Sequence, residues 1–189
     1  MKIGVVGAGN IGKTLGGSWE AAGHEVRYGT RAEAGSIFEA ASSSEVILLA
    51  VPADAALEAL EEAAEVAGKL VIDCTNRMGQ AAFEKGKSKA EELAAAAPDA
   101  HVFKAFNAAF SKVMKNGGRT HGQKADLAFA GDGEVGRERL EKLIADAGFA
   151  PLDCGPLENA YLVEALGAAM IYLGFGANLG ADIAWKLIR

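Results

Sequence analysis

Three glycines near the start of the chain have the types and spacing to bind a phosphate. Gly7-Ala8-Gly9-Asn10-Ile11-Gly12 follows the apolar run Ile3-Gly4-Val5-Val6 directly and opens a segment of helical period. In a Gly-x-Gly-x-x-Gly turn the first glycine permits the tight turn and the second lets a pyrophosphate approach the backbone. The third lets the helix pack on the strand. The unpaired amides at the helix N-terminus, with the positive end of the helix dipole, then bind the anion. The turn therefore predicts a dinucleotide site on Gly7, Ala8, Gly9, Asn10, Ile11 and Gly12.

The end of the second strand bears on which dinucleotide. An NAD site usually has Asp or Glu there, accepting from the ribose hydroxyls. Tyr28 to Arg31 contains no carboxylate, whereas Thr30 offers a hydroxyl and Arg31 a guanidinium. A guanidinium suits bidentate contact with a 2′-phosphate, so the pair predicts NADP(H). The alternative is that Arg31 is a solvated surface residue and the site is indifferent between cofactors; Glu33 is near enough in sequence to pair with it.

Nothing else in the sequence assembles a nucleophile and base. Of the three histidines, His24 falls in the turn before the second strand and His101 at the start of a strand, and both read as structural. His121 lies in Lys115–Gly122, read as a flexible basic loop. With Lys112, Lys115, Arg119 and Lys124, that loop is either an anchor for an anionic acceptor or a solvated surface. Cys74 and Cys154 lack metal-ligand spacing and read as small buried hydrophobes in a reducing compartment, with no metal site expected. Hydride transfer needs donor and acceptor held close, aligned and shielded from water, so a missing catalytic triad does not argue against an enzyme.

The elements that must position these residues read as successive βαβ units. Helices are expected over about 11–22, 53–67, 88–97 and 134–147. Strands are expected over 25–29, 45–51, 69–74, 101–106, 125–130 and 149–153, with only a stub of a strand near 36–38. Residues 76–90 read as a mobile loop, and 157–189 as a C-terminal segment of one or two helices, apolar around much of the circumference. The expected fold is a doubly wound, mostly parallel α/β sheet of Rossmann type with that helical extension, one domain over 1–189. Half the residues are apolar, which suits such a core. The formal charge of −6 argues against nucleic acid or an anionic membrane as partner. The longest uncharged run, between Glu164 and Asp182, is shorter than the ~20 residues a membrane span needs. No leader is expected before the strand at Lys2, and the chain is placed in the cytoplasm. Small residues (Ala168, Gly174, Gly176, Gly180) and apolar ones (Leu166, Met170, Leu173, Leu179) in the last segment suggest a homodimer, though packing within one subunit gives the same pattern.

Gly23-His24-Glu25-Val26 through Gly29-Thr30-Arg31 resembles the F420-dependent NADP reductases, as does Pro151-Leu152-Asp153-Cys154-Gly155-Pro156-Leu157-Glu158-Asn159 with Leu162-Val163-Glu164 after it. The resemblance implies hydride transfer between NADPH and the deazaflavin F420. It places Thr30 and Arg31 at the 2′-phosphate, the turn Val51-Pro52-Ala53 along the nicotinamide half, and Lys104-Ala105-Phe106-Asn107 at the border of the nicotinamide. Asn107 is then either the residue that orients the nicotinamide amide or a satisfied core asparagine. Ala8 stands where the family often has Thr, and no Lys follows Arg31 before Lys69, so a weaker NADP preference is expected. The alternatives to F420 are another small acceptor, such as a free flavin or an imine, and a non-catalytic NADP(H)-binding redox sensor.

Overall fold

The structure, a computed structural model, describes residues 1–77 and 84–188. The sheet is built on four short strands in parallel: β1 (Lys2–Val6), the edge strand β2 (Glu25–Gly29), β3 (Val46–Leu49) and β4 (Leu70–Asp73). Every residue of β3 and β4 is buried, as expected of strands covered on both faces. β5 (His101–Lys104) continues the parallel set, and β8 (Asp126–Gly131) joins it antiparallel with β9 (Ala150–Asp153) beside it. The seven strands run in the order β2-β1-β3-β4-β5-β8-β9. A two-stranded hairpin, β6 (Arg119–Thr120) and β7 (Gln123–Lys124), lies apart.

Alternate side chains along each strand feed two cores. Ile3, Val5, Val46, Leu48, Leu70 and Ile72 pack with α1 (Asn10–Ala21), α5 (Ser111–Lys115) and α6 (Glu134–Asp146). Val6, Ile47, Leu49 and Val71 pack with α2 (Ser36–Ser42), α3 (Ala56–Ala63), α4 (Lys89–Ala96) and α7 (Ala160–Ile171). Helices on both faces make the sheet doubly wound, as the sequence implied. Strand order reverses between β2 and β3 across β1, so the turn after β1 lies at the switch point where such sheets bind ligands.

Three expectations are corrected. The stub of strand near 36–38 is the start of α2, because Ile37, Ala40 and Ala41 recur with helical period and face the core. The helix expected to reach residue 67 opens with a 3₁₀ turn at Ala53–Ala55 and stops at Ala63, where Ala64 takes a positive φ of 56°. The C-terminal segment is helical only to the wide turn Tyr172–Gly176; the rest, to residue 188, has no helix. Glycines favour an end there, and the tail is held instead by β8, with the Asp126 amide donating to the Trp185 carbonyl at 3.0 Å. Of the loop read over 76–90, residues 78–83 lie outside the described residues. In the remainder Ser88 and Glu91 form a reciprocal cap on α4. No helix among the described residues is long and apolar enough to cross a membrane.

Candidate functional site

The glycine turn is built as its spacing demands. Gly7 has φ +102°, and a Cβ there would lie 2.3 Å from the Ala50 carbonyl oxygen. A Cβ on Gly12 would lie 2.0 Å from the Gly7 carbonyl, so α1 sits directly on the turn. Gly9, the N-cap of α1, has no atom within 4 Å of where a Cβ would be. Two glycines are thus required by the protein itself, while the space over the third is open. The first turn of α1 carries no carboxylate to compete for its free amides.

Two regions flank this turn on opposite sides of β1. On the β2 side, the Thr30 amide donates to Ser36 Oγ at 2.9 Å and that hydroxyl donates back to the Thr30 carbonyl, closing the loop. The Arg31 guanidinium projects from it, exposed, and pairs with Glu58 Oε2 of α3 at 2.5 Å; Glu33 is not its partner. After β3, on the opposite side of β1, Val51 packs against Gly7 and Pro52 is exposed.

On the β4 and β5 side a cavity of about 300 Å³ opens beside the glycine turn, lined by Asn10, Ile11, Cys74, Asn76, Phe106 and Asn107 among others. Ala105 lies in the core beneath it. Phe106 is held at φ 64°, uncommon for a bulky residue and frequent near functional sites, and this turns the chain into Asn107. Asn107 Nδ2 donates to Asn76 Oδ1 at 3.1 Å and to the Val163 carbonyl at 2.9 Å, while its Oδ1 is buried without a partner. The Cys74 thiol donates to the Leu49 carbonyl at 3.1 Å. Burial, then the Asp73 carboxylate, pushes its pKa up to about 12, so it stays a neutral thiol.

At the end of β5, Lys104 Nζ lies 2.9 Å from both Asp73 Oδ2 and Glu164 Oε1 and donates to the Thr75 carbonyl at 2.5 Å. Burial alone would lower the Lys104 pKa, but the two carboxylates outweigh it and raise the value. This buried ion cluster ties β4, β5 and α7 together.

Asn10 and Ile11 of the glycine loop and Asn107 line one cavity; Thr30 and Arg31 follow β2 on one side of β1, and Val51 and Pro52 follow β3 on the other. No histidine lines the cavity: His24 bonds Met1 and Asp146, His101 packs against Gly133, and His121 reaches the Asp182 carbonyl from the hairpin turn. The loop read as flexible and basic is in fact α5 and the β6–β7 hairpin. There Lys112 pairs with Asp182 at 3.1 Å and Arg119 donates to the Gly122 carbonyl at 3.4 Å. Both cysteines are free thiols, and no His/Cys/Asp/Glu group among the described residues is placed to hold a metal. Sequence reasoning missed Asn76, Cys74 and Gly167 as lining residues. The first two follow β4 directly, at the strand ends where a doubly wound sheet binds, and that position was the available signal.

The family model described as NADP oxidoreductase, coenzyme F420-dependent, matches residues 27–77, which run from β2 and Arg31 to the Asn76 loop. By that segment the chain is similar to the F420-dependent NADP oxidoreductases. Over its full length it is similar to a solved protein from Arthrobacter sp. FB24, described as a candidate F420-dependent NADP reductase. The TM-score is 0.89 at 24% identity, with 100% of both chains covered. A reductive aminase from Aspergillus terreus, solved with NADPH, shares the fold (TM-score 0.69, 21% identity, 94% of this chain and 62% of that one). Among curated proteins, the metalloreductase STEAP3 of Rattus norvegicus is 29% identical over 177 residues, 87% of this chain. The chain spans only 36% of that relative's length. The matched family and these relatives are oxidoreductases by description.

Proposed function

We propose that the chain is an NADP(H)-dependent reductase that passes hydride to a flavin-like acceptor, with F420 as that acceptor. The observation that carries the reading is the open space over Gly9 between Arg31 on one side and the cavity on the other. The residues fit a dinucleotide: the turn leaves room where a pyrophosphate lies, and the buried Asn107 Oδ1 has no partner within the protein. Gly7 to Gly12 would hold the pyrophosphate, Thr30 and Arg31 the 2′-phosphate end, and Val51, Pro52 and Asn107 the nicotinamide half. NADPH supplies a hydride from its reduced ring, and solvent supplies the proton the acceptor takes up with it. The chain's own part is to bind, orient and exclude water; the neutral Cys74 thiol adds no nucleophile. The exposed Leu162, Tyr172, Phe175 and Leu179 support a homodimer, and two free thiols suit a cytoplasmic setting.

The test is to mix the protein with NADPH and oxidised F420 and follow the loss of F420 absorbance beside an NADH control. Turnover with NADPH, reduced about ten- to a hundredfold in Arg31→Ala, is expected from the loss of a charge-assisted contact. NADPH binding without turnover would contradict F420 as acceptor. The likeness to a metalloreductase over most of this chain favours a second reading, a free flavin as acceptor. A metal ion takes electrons singly and nicotinamide gives a hydride, so a flavin must stand between them. Adding flavin and a ferric chelate to the same assay distinguishes the two.

A further inference from the structure

We propose that Asn76 is a positioning residue of the cavity: it turns the Asn107 amide so that its oxygen faces an N–H donor, the carboxamide of a nicotinamide. The proposal rests on the dinucleotide reading above and adds to it the residue that sets the polarity of the ring pocket.

The argument runs outward from the backbone. Asn76 Nδ2 donates to the Asn107 carbonyl at 2.8 Å. A carbonyl only accepts, so the Asn76 amide cannot flip without setting two oxygens face to face. With Nδ2 committed, Asn76 Oδ1 points at Asn107 and accepts from its Nδ2 at 3.1 Å. The second Nδ2 hydrogen of Asn107 goes to the Val163 carbonyl of α7 at 2.9 Å. Both donors of Asn107 are now used against acceptors that cannot change, and its orientation is fixed. What remains is Oδ1, an acceptor in a residue only 6% exposed, with no hydrogen bond from the protein.

Helix α7 is shaped to hold this arrangement. A Cβ on Gly167 would stand 2.5 Å from Asn76 Oδ1 and 2.6 Å from Asn107 Nδ2, so the helix can lie on the asparagine pair only because that residue lacks a side chain. Glu164, a turn earlier, is anchored by Lys104 and by the Lys89 amide at 2.8 Å. Asn76, Asn107 and Gly167 all line the same cavity. A pocket that exposed the amide nitrogen instead would suit a carboxylate or carbonyl; this one selects a donor.

The test uses calorimetric titration of the wild type with NADP⁺ and with its 3-acetylpyridine analogue, in which a methyl replaces the carboxamide nitrogen and the pyridine substituent keeps no N–H. The wild type is expected to bind NADP⁺ about tenfold more tightly than the analogue, because the analogue leaves Asn107 Oδ1 unpaired. In Asn76→Ala that preference falls to within about twofold, by weaker NADP⁺ binding with analogue affinity retained. Gly167→Ala, which pushes on the pair from the helix side, loses the preference in the same way and decides the matter if Asn76→Ala does not fold. Loss of both affinities alike in either folded variant, or a wild type that binds both dinucleotides without distinguishing them, overturns the proposal while leaving the dinucleotide reading in place. Failure of the wild type to bind either one overturns the dinucleotide reading and this proposal with it.

Discussion

Glu58 stands 2.5 Å from Arg31, so a 2′-phosphate bound as proposed would have to displace a carboxylate to reach that guanidinium. Both side chains are exposed, with Arg31 49% and Glu58 70% accessible, and an exposed pair of this kind contributes about 0.2–1 kcal/mol. Glu58→Gln is therefore expected to tighten NADPH binding by up to about fivefold and to leave NADH binding unchanged, in a fluorescence titration at low salt. Equal gains for both cofactors would mean that Glu58 acts through overall charge and not through Arg31. At this scale the sequence displayed Arg31 and the glycines plainly, because their roles depend on residue type at a fixed distance along the chain. It did not display Glu58 or Asn76, which reach their partners from other elements; Glu58 lies 27 residues beyond Arg31 and Asn76 lies 31 before Asn107.

At the level of elements, α6 is fastened to the turn before β2 by a polar contact that makes stability depend on pH. Asp146 Oδ2 receives His24 Nε2 at 2.8 Å and Lys142 Nζ at 2.9 Å. Burial pushes the Asp146 carboxyl up, but the hydrogen bonds and charges of Lys142 and His24 outweigh it and hold the pKa below its usual range. A carboxyl depressed in the folded state stabilises it above the unfolded value, near 3.9, and that contribution fades as pH falls through the folded value. Asp146→Asn should accordingly lower the melting temperature near pH 6, with the gap to wild type closing below about pH 4. A gap that is constant with pH would show that the contact is not an ionic one. Most elements were legible because their apolar periods are strong, as in Val46-Ile47-Leu48-Leu49 and along α6. The exceptions have physical causes. Residues 36–38 are too few to separate a period of 2 from one of 3.6. In the C-terminal segment the apolar run continues past glycines that stop the helix.

Across the whole molecule, the C-terminal segment divides its apolar surface differently from its sequence pattern. Met170 and Gly174 turn inward, and a Cβ on Gly174 would lie 2.6 Å from the Phe110 ring, so close packing there is within the subunit. Tyr172, Phe175 and Leu179 remain outside at 67%, 65% and 57% exposure, available to the proposed homodimer. Sedimentation is expected to show a dimer at micromolar concentration and a monomer for Phe175→Asp; a monomeric wild type would remove the dimer. The formal charge of −6 suits a small anionic ligand held by the free amides of α1 better than an extended polyanion.

Gly9→Ala tests the central claim most directly, with NADPH titrated against the variant and the wild type and thermal unfolding measured beside it. Nothing in the protein lies within 4 Å of the added methyl, and the Gly9 φ of −77° suits alanine, so the variant should fold, with the melting temperature lowered only by the poorer N-cap that alanine makes. The methyl would occupy the space a pyrophosphate needs, and NADPH affinity is expected to fall at least about tenfold, or 1.4 kcal/mol. An intact variant that binds NADPH as tightly as the wild type would contradict dinucleotide binding on this turn.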